Sequence, residues 1–155
     1  MIIYLLALCI GVVAGMRAMT APAAISWAAH LGWLPLQSTW LAFLGYSWTP
    51  WIFTFLAALE LVSDQLPSTP SRTVPLQFGA RLVSGALSGA AVGAAGGSLL
   101  IGGIAGVIGA VVGTFGGRAL RSRLASHFGN DTPAALIEDA IAIASAFVIT
   151  LAATG

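Results

Sequence analysis

The chain has 155 residues, 58% of them hydrophobic and only 7% charged. A soluble domain carries about 25% charged residues, so the composition excludes an ordinary soluble fold and leaves one membrane domain spanning 1–155 with no soluble module. Six arginines stand against five acids, for a net charge of +1, too little basic surface for a nucleic-acid partner. The single Cys9 excludes a disulfide framework or a thiolate metal site.

A hydrocarbon crossing takes about 20 apolar residues, and the chain has room for about five. The first ten residues lack the positive region of a signal peptide and read as the start of a retained span, 2–31. Thirty residues is too long for one straight crossing, and Gly11, Gly15, Arg17, Thr20 and Pro22 interrupt it. Pro22 removes a backbone donor and disfavours helix just before it. The expectation is a broken helix, irregular over 15–21 and helical again over 22–30. Such backbone is tolerated at membrane depth only under cover of protein or a water-filled cavity. All five tryptophans fall between 27 and 51, which predicts a connection (32–50) lying on one membrane surface. An aromatic ligand cage is the sharper alternative.

The second span covers 51–66, and prolines 67, 70 and 75 exclude its continuation. Spans three (76–95) and four (from 98) carry glycines at helical spacing: Gly85, Gly89, Gly93 and Gly97, then Gly102 and Gly106, then Gly109, Gly113 and Gly117. Residues four apart share a helix face, and a face without side chains admits another backbone, as in lipid-embedded helix pairs. Two close-packed helices are expected, turning at Gly96, Gly97 and Ser98. Such glycine faces also favour a homo-oligomer, a dimer first. Near Gly116, Gly117 and Arg118 a second break is expected before the helix ends near Gly129. Asp131 or Thr132 as cap, with Pro133 in the first turn, starts span five at 134–153.

Two stretches echo each other. Trp27-Ala28-Ala29-His30-Leu31-Gly32 resembles Leu124-Ala125-Ser126-His127-Phe128-Gly129, and Thr49-Pro50 resembles Thr132-Pro133. They define a repeat at about 2–66 and another at about 98–154, joined by the helix at about 76–95. An odd linking span inverts the second copy, as in transporters whose midplane sites form from broken helices. The arginines of the 66–75 loop and of the end of span four place that side in the cytoplasm by the positive-inside rule. With five spans the amino terminus is then cytoplasmic and the Trp-rich connection external.

Charge inside a membrane helix costs about 2.5–3.5 kcal/mol and marks functional candidates. Arg17, Glu60, Asp64, Arg81, Arg118, Glu138 and Asp139 are those candidates. One reading pairs them as ion pairs that hold a small bundle together. The other lines a polar cavity with Arg17 and Arg118, with carboxylates balancing them or binding a cation or proton. No second His or carboxylate stands at i+4 to His30 or His127, so no metal site is expected, nor any other cofactor. No Ser or Thr stands in a nucleophile elbow or beside a lysine, so no catalytic residue and no enzyme is expected.

Gly15-Met16-Arg17-Ala18, Pro22-Ala23 and Leu31-Gly32-Trp33-Leu34, then Leu59-Glu60-Leu61-Val62-Ser63-Asp64-Gln65-Leu66-Pro67, then Arg81-Leu82-Val83-Ser84-Gly85-Ala86-Leu87, resemble the small bacterial membrane-protein family called domain of unknown function 4126. Gln65 stands where that family's pattern has Lys. The resemblance implies a self-contained inner-membrane protein and transfers no functional residue. Together these readings lead to an all-α polytopic bundle that is a transporter or channel for a small charged solute. The alternative is a non-transporting lipid-binding or assembly subunit.

Overall fold

A computed structural model describes residues 1–66, 68 and 71–155. Pro67 and Pro70 of the expected proline loop lie outside the described residues. Among the described residues the chain is all helical. α1 is Ile2–Met16, α2 Thr20–His30, α3 Thr49–Ser63, α4 Pro75–Ala95, α5 Leu99–Phe128 and α6 Asp131–Ala152, with a 3-10 turn at Trp40–Gly45. Three of them, α4, α5 and α6, are long and apolar enough to cross a membrane, while α1 and α3 are shorter apolar helices.

α4, α5 and α1 form the centre of the bundle, and glycine explains why. A Cβ on Gly89 would lie 2.4 Å from the Gly102 carbonyl oxygen, and one on Gly106 would lie 2.0 Å from that of Gly85. The other flank of α5 meets α1 in the same manner: a Cβ on Gly11 would stand 2.2 Å from the Gly106 oxygen and one on Gly113 2.1 Å from the Val12 oxygen. The two ladders of α5 thus serve two different neighbours within one chain. The turn into α5 is closed by Gly97 at φ +84°, a left-handed conformation that glycine adopts without strain. The Ser98 side chain then accepts the Ile101 N–H.

The first span breaks, within narrower limits than the sequence implies. Arg17 is extended (φ −139°, ψ 108°) and ends α1, and α2 begins three residues later at Thr20. Gly15 stays in the last turn of α1. Pro22 sits inside the first turn of α2, where its missing N–H interrupts no intrahelical bond. The second expected break is absent: α5 runs unbroken through Gly116, Gly117 and Arg118. Their flanks are apolar helix formers, and no proline interrupts the 30-residue helix. The echoed segments both lie at helix ends. Gly32 and Gly129 are both left-handed, at φ +77° and +66°, just past the ends of α2 and α5. Thr49-Pro50 and Thr132-Pro133 both open helices. The cap of α6 is Asn130, whose side chain accepts the Thr132 N–H, rather than Asp131 or Thr132.

The path of the chain also departs from five simple crossings. The Tyr4 hydroxyl donates to the Gly96 carbonyl, and Arg81 reaches Gly15 and Met16, so α1 runs antiparallel to α4. The amino terminus therefore lies at the α4–α5 turn, opposite the end where α4 starts. α2 turns back toward that same end: Trp40, in its C-terminal connection, lines one cavity with Leu99 and Leu100 at the start of α5. α1 and α2 form a hairpin of about 22 and 16 Å legs, with its tip at Arg17, Ala18 and Met19. α3 descends beside α2, where Trp27 packs edge to face on Trp51 and donates to Thr54. Trp40 and Trp48 are exposed.

Candidate functional site: a charge cluster at the hairpin tip

The tip leaves two helix ends facing the interior. The C-terminus of α1 presents carbonyls and the N-terminus of α2 presents N–H groups, each without an intrahelical partner. Opposite charges meet both. Arg81 Nη1 donates to the carbonyls of Gly15 (2.8 Å) and Met16 (2.7 Å). Glu60 accepts the N–H of Ala18 (2.8 Å) and of Met19 (2.9 Å) with its two oxygens. This is the favourable match of cation to helix C-terminus and anion to N-terminus. Arg81 and Glu60 also face each other at 3.8 Å. The Ser84 hydroxyl donates to the Ala18 carbonyl, which Pro22, four residues on, has no N–H to reach.

Arg17, fully buried, projects from the tip between α3 and α6 and donates to Asp64 and to Asp139. Arg72 grips Glu138 with both guanidinium arms and stands 3.8 Å from Asp64. Arg121 of α5 bonds Asp131 at 2.5 and 2.9 Å, donates to the Asp64 carbonyl at 3.2 Å, and lies 3.7 Å from the Asp64 carboxylate and 3.9 Å from Glu138. The cluster gathers Arg17, Arg72, Arg81 and Arg121 with Glu60, Asp64, Asp131, Glu138 and Asp139. It therefore takes in all five acids of the chain and holds one carboxylate in excess.

Six of the seven charged residues expected from the sequence converge here: Arg17, Glu60, Asp64, Arg81, Glu138 and Asp139. Arg118 does not. It is exposed on α5, and Arg72 and Arg121 hold the places near Glu138 expected for it. Arg72 sits in the loop before α4 and Arg121 in the last two turns of α5, positions that read in the sequence as orientation signals rather than as a site. Asp131 was legible only as a cap. The cluster is also off centre. Arg81 lies about 9 Å along α4 from Pro75 and Asp139 about 12 Å along α6 from Asp131, in the half of the bundle nearer the arginine-rich end. Among the described residues no three His, Cys, Asp or Glu side chains form a metal-like group.

A family model described as Domain of unknown function (DUF4126) matches residues 4–154. The chain belongs to this family. No curated protein and no solved structure matches it. The match covers nearly the whole chain, so the α1–α2 hairpin from Tyr4 onward and every member of the charge cluster lie inside the DUF4126 region.

Proposed function

We propose that this DUF4126 chain is a polytopic protein of the bacterial inner membrane that moves a small cation, as a channel or carrier, through the cluster at the hairpin tip. The observation behind this reading is a discontinuous helix pair ending on four buried or half-buried arginines and four carboxylates, with a fifth carboxylate, Asp131, exposed at the edge of the cluster. Discontinuous helices supply ion and solute sites in membrane transporters, and ionisable groups inside a membrane domain are functional by default. Excess negative charge favours a cation over an anion. The arginine-rich end faces the cytoplasm under the positive-inside rule, which puts the amino terminus on the outer side.

The test is electrophysiology of liposomes, carrying the full-length protein, on a solid support. Pulses of rubidium, sodium or acid are compared with chloride. At least one cation pulse is expected to give a current, and Asp139→Asn to reduce it to that of protein-free liposomes while the variant remains folded. Silence to every pulse, or an undiminished current in Asp139→Asn, overturns the proposal.

A second reading, a lipid-binding or assembly subunit, is favoured by an apolar groove of about 520 Å³ between α2, α3 and α6. It predicts a phospholipid retained through native mass spectrometry and no current. The ladder glycines other than Gly97 face atoms of the same chain, so a homodimer, the other expected partner, would use a different surface.

A further inference from the structure

Among the described residues, four buried side-chain N and O atoms have no hydrogen-bond partner: Nε of Arg17, Nε of Arg81, and the hydroxyls of Ser26 and Ser88. Arg17, Ser26 and Ser88 are 0% exposed and Arg81 1%. Buried polar groups in native interiors are almost always satisfied, and ordered water fills the role where protein does not.

Three of the four, on Ser26, Ser88 and Arg81, belong to α2 and α4. α2 and α4 pack together and leave the cluster toward the same end of the bundle. The bond from Ser84 to the Ala18 carbonyl fixes their relative level. One turn further along are Ser88 on α4 and Pro22 on α2, one more turn brings Ser26, and a third brings His30. A helical turn advances about 5.4 Å, so a polar group stands at each step. His30 opens on a cavity of about 410 Å³ shared with Gln37 and Tyr46 at the outer end of α2. At the inner end the series meets Arg81 and Glu60, and beyond them Arg17, Asp64 and Asp139.

We propose that these groups hold a file of buried water between α2 and α4, and that the cation handled at the hairpin tip is the proton. This rests on the transport reading above. A metal cation needs about six oxygen ligands, whereas the seam offers single hydroxyls spaced a turn apart. A hydroxyl both donates and accepts, which is what a proton relay requires, and the cavity beside His30 gives the file an opening. A proton passes along the file as each oxygen takes one proton and gives up another. At the inner end a hydronium O–H bond breaks as an O–H bond forms on the Glu60 carboxylate, leaving water. Release toward the arginine-rich end reverses that step, the Glu60 O–H bond breaking onto a water beyond.

The test uses the full chain in potassium-loaded liposomes containing a pH-sensitive dye, with valinomycin setting an inside-negative potential. Wild type is expected to acidify the lumen. The Ser26→Ala/Ser88→Ala double variant is expected to fall to the rate of empty liposomes with an unchanged unfolding midpoint, because neither hydroxyl has a protein partner to lose. Ser88→Ala alone serves if the double variant misfolds, and Ser88→Thr, which keeps a hydroxyl, is expected to retain flux. No acidification by wild type, or acidification by the alanine variants at the wild-type rate, overturns the proposal. A rubidium or sodium current without acidification overturns the proton and leaves the transport reading standing, whereas loss of both overturns both.

Discussion

The Ala18 carbonyl lies just outside α2, and the residue four positions on, Pro22, has no N–H to offer it. Ser84 supplies the missing donor from α4. Ser84→Ala is therefore expected to destabilise the bundle by about 1–3 kcal/mol, the cost of a buried unsatisfied group. The informative variant adds Pro22→Ala, which restores an N–H at the position able to reach that carbonyl. The double variant is expected to recover most of the loss in a thermal or denaturant unfolding experiment, and simple additivity would show that the two residues do not share one carbonyl. At this scale the sequence was readable wherever a residue was expensive in its setting. Arg17, Glu60, Asp64, Arg81, Glu138 and Asp139 stood out because apolar helix surrounds them. Ser84 carried no signal, since a serine in a glycine-rich membrane helix fits without a partner.

Among the helices, α5 shows how glycine positions divide by what lies opposite. Gly106 is held between α4 and α1, and a side chain there meets the Gly85 carbonyl at 2.0 Å. Gly116, ten residues on, has nothing within 4 Å of a built Cβ. Gly106→Ala is expected to unfold or loosen the α4–α5–α1 core. Gly116→Ala is expected to be neutral or to stabilise by about 0.5–1 kcal/mol, the ordinary gain of alanine over glycine inside a helix. Unfolding midpoints of the two variants in the same detergent make the comparison, and equal shifts of one sign would contradict the packing. The ladder spacing was enough to expect close helix contact, because period and composition are local facts. Which glycine faces which helix was not legible, because Gly106 touches α4 and α1 at once. The echo of Trp27–Gly32 in 124–129 is local in the same way. Helices that end at a glycine and begin at Thr-Pro share a local vocabulary, and both echoed segments lie at such ends.

Across the whole molecule, the hairpin decides which ends of the chain lie together. A stretch of thirty residues with one interruption looks like a single bent crossing, because hydropathy counts length and carries no direction. Three residues at the tip, Arg17 to Met19, suffice to send the chain back, and they persist inside the bundle because Arg81, Glu60 and Ser84 satisfy the backbone groups they free. The consequence is an arrangement that differs from five crossings in one measurable way. The amino terminus, Gln37 and the Gly96–Ser98 turn share one side, and Ser122 lies on the other. In a Cys9→Ser background, Gln37→Cys and Ser122→Cys, both at exposed positions, are expected to react with a membrane-impermeant thiol reagent from opposite faces of intact cells or oriented vesicles. An amino-terminal epitope tag is expected on the same face as Gln37→Cys. Five crossings put that tag with Ser122→Cys instead. If the tag and Ser122→Cys are reached together, α1 and α2 cross the membrane as one bent helix. The two capped ends at Arg17–Met19 would then belong to a kink inside a single span.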